Sequence, residues 1–136
     1  MDGIRFLPTK VHTALDFIVG IVLILLPSIF GFSDVGGGAV WLPILIGIAS
    51  IIMGLFTQGY GFAVARIIPL KVHLMVDLLA GALLALSPWL WSFSDEATHV
   101  WVWQVVIGVA LVVVSQVTKT NVTMMGKETA EHRAAA

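Results

Sequence analysis

The sequence contains no cysteine and has few charged residues. Of its 136 residues, 11% are charged and 59% are hydrophobic, whereas a soluble domain carries about 25% charged and about 45–50% apolar residues. Without cysteine there are no disulfides, no thiolate metal ligands and no cysteine nucleophile. The composition is typical of a membrane protein, and the length suits a single membrane domain over residues 1–136.

The few charges nearly balance. Seven lysines and arginines oppose eight aspartates and glutamates, giving a net charge of −1. Such a chain has no basic surface for nucleic acid. The sequence also lacks a phosphate-binding loop, an H-E-x-x-H zinc motif and a nucleophile with a base beside it. We therefore expect no nucleic-acid partner and no enzymatic activity.

The chain repeats itself without a gap at an offset of 61 residues, counted from Lys10 to Lys71. Pro8-Thr9-Lys10-Val11-His12 returns as Pro69-Leu70-Lys71-Val72-His73. The same offset pairs Thr57 with Thr118. This pattern indicates a tandem duplication. The two repeats and the tail that follows them are predicted to be residues 8–57, 69–118 and 119–136.

Four apolar segments are long enough to cross a bilayer, which requires about 20 residues. They are Val11–Phe30, Val40–Phe56, Val72–Trp91 and Val100–Val117. In lipid every backbone group must be bonded within its own segment, so each is predicted to be a helix. The fold class is therefore an all-α membrane protein with four transmembrane helices. Because each repeat contributes two spans, the repeats have the same topology, and a pseudo-two-fold axis along the membrane normal should relate them.

All lysines and arginines lie on one side of this topology. They occupy the N-terminal tail, the loop between the second and third spans, and the C-terminal tail, and the other two loops have none. The seven are Arg5, Lys10, Arg66, Lys71, Lys119, Lys127 and Arg133. Positive residues in short loops stay cytoplasmic. We therefore predict a multi-pass protein of the plasma membrane (the inner membrane of a bacterium) with both termini in the cytoplasm.

The tryptophans lie at the opposite, outer ends of the spans. They are Trp41, Trp89, Trp91, Trp101 and Trp103. Amphipathic rings favour the headgroup layer, which makes an interfacial belt the natural interpretation. An aromatic ligand box is the alternative, and the belt explains all five positions at once.

The first span of each repeat shares a stripe of residues at steps of four, four, three and four, the spacing of one helical face. The stripe is His12, Asp16, Gly20, Leu23 and Pro27 in the first copy, and His73, Asp77, Gly81, Leu84 and Pro88 in the second. We expect the two stripes to face each other, with Gly20 and Gly81 at close approach. Pro27 and Pro88 should kink or end their helices.

Ser87-Pro88-Trp89, in the first helix of the second copy, resembles the motif of the SPW-repeat membrane proteins. The resemblance covers both copies, from about Pro8 to Thr118, although the first copy has Leu26-Pro27-Ser28 at the motif. Proteins of that family are built from two-helix repeats. The resemblance implies the four-helix fold, and it brings no activity, catalytic residue or cofactor with it.

His12 and Asp16, like His73 and Asp77, are four residues apart on a helix and can touch. They are the candidate polar site inside the membrane. One interpretation is structural, as polar contacts that hold helices together. A second is a proton or ion pathway, and a third is a haem or metal site. Because each histidine has a carboxylate one turn away, we favour the structural interpretation and expect no cofactor and no metal.

The expected function is that of a non-catalytic scaffold or accessory membrane subunit. Its partners would be the lipid bilayer and either a second copy of the chain or other membrane subunits. The alternative function is a small transporter or a proton or ion pathway centred on the two His–Asp pairs.

The predicted orientation can be tested with a reporter that is active only in the cytoplasm. We expect a signal when it is fused after Ala136, and none when it is inserted at Gly37 in a predicted outer loop, at matched expression. A signal from Gly37 with none from the C-terminus would overturn the orientation.

Overall fold

The computed structural model describes residues 5–57 and 64–119, and this part of the chain contains four helices. They are α1 (Thr9–Ile29), α2 (Gly37–Phe56), α3 (Leu70–Leu90) and α4 (Thr98–Val117), with a short 3₁₀ turn at Ser33–Val35. Each helix is long and apolar enough to cross a membrane. The prediction of an all-α membrane protein is therefore confirmed. Residues 120–136 of the predicted tail lie outside the described residues.

The helices begin two to three residues before the apolar segments read from the sequence. Pro8 and Pro69 stand directly before α1 and α3, with extended backbone. Proline suits a helix start because its missing N–H would have no partner there. The first turns of the helices thus contain polar residues and glycines. A prediction based on apolar residues alone leaves these residues out of the helices.

The first helix of each repeat ends two residues after a proline. Pro27 and Pro88 lie in the last turns of α1 and α3, as the sequence predicted. Their carbonyls accept hydrogen bonds from the backbone N–H groups of Phe32 at 2.9 Å and Phe93 at 2.8 Å. These bonds close both turns in the same way, so the outer ends of the two repeats share their local geometry.

Within each repeat the two helices pack backbone against backbone at a pair of glycines. A Cβ built on Gly47 would lie 2.5 Å from the carbonyl oxygen of Gly20, and one on Gly108 would lie 2.7 Å from that of Gly81. Such close approach is how membrane helices gain packing energy where lipid supplies no hydrophobic drive. Each repeat is therefore a tight hairpin.

The prediction that Gly20 and Gly81 lie against each other is wrong. The nearest neighbours of Gly20 belong to α2, and those of Gly81 belong to α4. Helices α1 and α3 meet instead through imidazole and carboxylate side chains. The observed contact between α1 and α3 is therefore made by these polar side chains.

The two repeats contact each other reciprocally. Leu7 forms a parallel bridge with Thr118, and Ile68 forms one with Thr57. These four residues are equivalent in pairs at the 61-residue offset. The segment that precedes each repeat therefore pairs with the end of the other repeat. This is the contact pattern that a two-fold relation predicts, and the axis itself stays a prediction.

The five tryptophans lie at the end of α3 and near the starts of α2 and α4. Four of the rings are exposed, and Trp101 packs partly buried against the core. Trp89 lies beside Trp101, with ring centroids 6.3 Å apart. Rings that face outward do not enclose a shared pocket. The arrangement therefore favours the interfacial belt over the ligand box.

The glycine packing predicts a graded response to alanine. In Gly108→Ala the new Cβ would meet the backbone nitrogen of Ala85 at 2.5 Å, so α3 and α4 must separate. We expect a loss of about 1–3 kcal/mol of stability from overpacking. Thermal unfolding in detergent, followed by circular dichroism, measures it. Gly54→Ala is the matched control, because its Cβ meets only the Phe17 ring, at 3.3 Å. Equal losses in the two variants would contradict the assigned packing.

Candidate functional site

The two predicted His–Asp pairs come together into one buried cluster. His12 and Asp16 project from α1, His73 and Asp77 project from α3, and all four are buried, with Asp77 the most exposed at 6%. We call these four residues the His–Asp quartet. These residues face the interior of the bundle. This is expected, because an ionised side chain exposed to lipid would be costly in free energy.

Each histidine of the quartet contacts both aspartates. Nε2 of His12 lies 2.9 Å from Oδ2 of Asp77 and 3.2 Å from Oδ1 of Asp16. Nε2 of His73 lies 3.0 Å from Oδ2 of Asp16 and 3.2 Å from Oδ2 of Asp77. The contacts between repeats are shorter than those within a repeat. The sequence analysis treated these residues as two pairs, whereas the structure joins all four in one ring.

Two threonines orient the histidines from the other side. Nδ1 of His12 lies 2.5 Å from Oγ1 of Thr118, and Nδ1 of His73 lies 2.6 Å from Oγ1 of Thr57. Each hydroxyl has one proton, which it donates to the backbone carbonyl four residues earlier. The hydroxyl must therefore accept the other bond from an Nδ1–H group. This fixes Nδ1 of both rings as a proton donor.

The role of these threonines was missed in the sequence. Thr57 and Thr118 are paired by the 61-residue offset, and each is the last residue of its repeat. That repetition of a polar residue at the end of an apolar span was the available signal. Thr57 contacts the histidine of the other repeat. Residue spacing along one helix cannot predict a contact between repeats.

The quartet requires positive charge at its centre. Nδ1 already carries a proton, so a neutral ring would point the bare lone pair of Nε2 at two carboxylate oxygens, which is repulsive. Two protons shared within the ring, or one divalent cation, would balance the two carboxylates. The four donor groups offer ligand atoms that all lie within 4.8 Å of one another, close enough for a single ion.

The surroundings of the quartet are closed and largely apolar. Leu23 and Leu84, further along the same stripe, have no exposed surface. An apolar groove of about 150 Å³ between α1 and α4 reaches Asp16, and its other lining residues are aliphatic. Across residues 5–57 and 64–119, no buried side-chain nitrogen or oxygen is without a hydrogen-bond partner. The quartet is thus internally satisfied.

A second polar contact crosses between the repeats nearer the tryptophan end. Nε2 of Gln104 donates to the carbonyl of Ala39 at 2.9 Å and to that of Val100 at 3.0 Å. The Ala39 carbonyl would normally bond the N–H four residues later, but that residue is Pro43, which has none. Gln104 therefore supplies the donor that α2 lacks.

The serine of the Ser87-Pro88-Trp89 motif has the same role within α3. Pro88 has no N–H for the Leu84 carbonyl, and the Ser87 hydroxyl donates to that carbonyl at 2.6 Å. The same hydroxyl lies 3.4 Å from Oε1 of Gln104. The motif thus combines a helix-ending proline, a hydroxyl that compensates for it, and a tryptophan at the outer end.

The profile of the SPW repeat domain matches residues 10–118. The match covers both hairpins and the whole quartet, and it confirms the resemblance found in the sequence. No curated protein and no solved structure matches the chain.

The role of Gln104 can be tested by a double-mutant cycle. Gln104→Leu strands the Ala39 carbonyl in low dielectric, and an unsatisfied buried group costs about 1–3 kcal/mol. Pro43→Ala restores a backbone N–H to that carbonyl, so the loss caused by Gln104→Leu should be smaller in the Pro43→Ala background. Thermal unfolding in detergent measures each variant. Gln116→Leu, at a less buried glutamine, is the control. An equal loss in both backgrounds would refute the proposed compensation.

Proposed function

We propose that this chain, which belongs to the SPW repeat family, is a non-catalytic scaffold or accessory subunit of its membrane. Its four apolar helices make it an integral, multi-pass membrane protein. The observation that carries the proposal is the closed His–Asp quartet, whose polar atoms are bonded within the protein. A site built to bind and release a substrate would present several polar atoms to an open cavity, whereas the groove that reaches Asp16 is otherwise lined by aliphatic side chains.

The quartet supports this proposal because it joins all four helices at one end. Its own residues come from α1 and α3. Thr57, directly after α2, and Thr118, directly after α4, bond its two histidines. Inserting an aspartate at the centre of a membrane helix costs about 2.5–3.5 kcal/mol of free energy on insertion scales. In this protein both aspartates make contacts that link the two repeats. The quartet therefore acts as a clamp between them.

We further propose that both termini lie in the cytoplasm of the cell that carries this protein in its plasma membrane. The one-sided distribution of lysine and arginine supports this orientation. Arg5 donates to the carbonyls of Ser115 and Thr118 at 3.2 and 2.9 Å. A positive group at the end of α4 complements the helix dipole. Arg5 and Lys71 also line a cavity of about 270 Å³ at this end of the bundle, where they suit anionic headgroups.

The proposed partners are the bilayer and either a second copy of the chain or other membrane subunits. Away from the tryptophan end, most of the large exposed side chains along the spans are aliphatic, including Ile18, Leu45, Leu79 and Val106. Such a surface suits lipid or another transmembrane helix. A scaffold needs no more than this surface and a rigid interior.

A proton or ion pathway is the second candidate, and one observation favours it. The quartet holds four titratable groups within hydrogen-bond distance of one another across the repeats. Towards the tryptophan end, however, the buried polar side chains are Ser50, Ser87 and Gln104, and all three are bonded to backbone carbonyls. The apolar layer of Leu23 and Leu84 separates the last two of these from the quartet. These features favour the clamp.

The clamp predicts a ranking of substitutions at the two aspartates. The double variant Asp16→Asn, Asp77→Asn keeps side-chain size and can donate N–H groups to the histidines. Asp16→Leu, Asp77→Leu leaves both rings unsatisfied, at about 1–3 kcal/mol for each stranded group. We expect the asparagine variant to keep more of its thermal stability than the leucine variant, measured in detergent with chelator present. Asp95→Asn, in an exposed outer loop, is the control and should be neutral.

The same variants separate the clamp from the pathway. In proteoliposomes we expect no pH-driven proton or cation flux from the wild-type protein. A reproducible flux that disappears in the folded asparagine variant would overturn the clamp and establish the pathway. Equal stability of the asparagine and leucine variants would also count against the clamp.

A further inference from the structure

The His–Asp quartet has the donor set and spacing of a metal centre. Two imidazole nitrogens and two carboxylates converge from two helices, and their ligand atoms lie within 4.8 Å of one another. We propose that the quartet binds one zinc ion, which fastens the two repeats together. This inference rests on the clamp proposed above and names what fills its centre. It revises the expectation of no metal, which assumed that each histidine was satisfied by its own aspartate.

Each Nε2 lies near oxygens of both carboxylates, an arrangement that one central cation can satisfy. An imidazole N–H points in one direction and makes one good hydrogen bond. Nε2 of His12 instead has carboxylate oxygens at 2.9 and 3.2 Å, and Nε2 of His73 has them at 3.0 and 3.2 Å. A single cation at the centre attracts all of these atoms together.

The separations are close to those of a tetrahedral site. Zinc–nitrogen and zinc–oxygen distances of about 2.0–2.2 Å imply ligand–ligand edges of about 3.3–3.6 Å. The nitrogen–oxygen separations in the quartet are 2.9–3.2 Å. The four nitrogen–oxygen contacts therefore need to lengthen by a few tenths of an ångström, and any pair of ligand atoms near the 4.8 Å limit must close up, to admit one ion.

The threonines complete the arrangement expected for metal-bound histidines. A ligating histidine usually donates its other ring N–H to a neighbouring acceptor, which fixes the tautomer and the ring orientation. Thr118 and Thr57 accept in this way from Nδ1 of His12 and His73. Nε2 of each ring is thereby left to bind the metal.

Charge and burial select the kind of ion. A divalent cation with two carboxylates and two neutral imidazoles has no net charge, which suits a site inside a bilayer. Four protein ligands in a closed, buried site are typical of structural zinc. Calcium and magnesium need six or more ligands, mainly oxygen atoms or waters, which this cluster does not provide. Zinc is therefore the assignment.

The test begins with the metal content of the full-length protein, purified from zinc-replete cells through a tag that needs no metal column. Elemental analysis should give about one zinc per chain. Asp77→Asn and His12→Gln each remove one ligand at nearly constant size and should abolish the zinc. His99→Gln, at an exposed histidine in the first turn of α4, is the matched control and should retain it.

A subtler variant tests the orientation of the ligands. Thr118→Val keeps all four ligands and removes only the acceptor of the His12 Nδ1–H bond. It should weaken zinc binding by about 10–100-fold, the usual effect of losing such a partner. Val113→Thr, at a lipid-exposed position of α4, is a control for the valine–threonine exchange and should leave binding unchanged.

Proton release gives a readout that does not depend on any variant folding. Without metal, two protons must balance the carboxylates, and zinc displaces protons from its ligands. Adding zinc to chelator-treated wild-type protein in weak buffer should release about two protons per ion bound. Cobalt in place of zinc should give the visible spectrum of a tetrahedral site.

Several results would overturn the zinc assignment. They are wild-type protein purified without zinc, a different stoichiometric metal, zinc retained in a folded Asp77→Asn variant, or zinc uptake without proton release. None of these would refute the clamp, because the aspartate series is measured with chelator present. Loss of the predicted asparagine–leucine ranking would refute the clamp whatever the zinc content.

Discussion

The structure depends on one constraint, which is that a polar group inside a bilayer must find its partner within the protein. Two aspartates and two histidines lie on the faces that the repeats turn towards each other. None of them finds all of its partners on its own helix: the histidines need the other repeat's aspartate, and each also bonds the threonine that ends a repeat. Satisfying these groups therefore determines how the two hairpins are placed.

Glycines and polar residues make different kinds of helix contact, and this difference follows from the same constraint. Within a hairpin, Gly20 packs against Gly47 and Gly81 packs against Gly108. Because glycine has no side chain, the two helix backbones come into contact and gain packing energy. Between hairpins the quartet holds α1 and α3 at the distance set by imidazole and carboxylate groups. The helix pairs α1–α2 and α3–α4 thus meet in close contacts at glycines, whereas α1 and α3 meet through longer polar side chains.

Much of this architecture could be predicted from the sequence, because lipid leaves few alternatives for a long apolar segment. The four spans, the shared stripe and the burial of the quartet all follow from length, offset and helical spacing. The partners of Gly20 and Gly81 did not follow, since a stripe shows which face is buried and not which helix covers it. Nor did the bonds from Thr57 and Thr118, because these cross to the other repeat.

Residues that are the same in both repeats make symmetric contacts, and residues that differ between the repeats make a one-way contact. The histidines, aspartates and threonines of the quartet take part in contacts that run equally in both directions, and the same residues occur in both copies. Pro43 and Gln104 occupy equivalent positions but differ, and their contact runs in one direction only, since Gln104 bonds the carbonyl that Pro43 leaves without a donor.

Two copies of the first repeat would have two such carbonyls and no donor for either. Two copies of the second would have two buried glutamines without a proline to compensate. The two hairpins are therefore complementary parts of one bundle, and neither can replace the other.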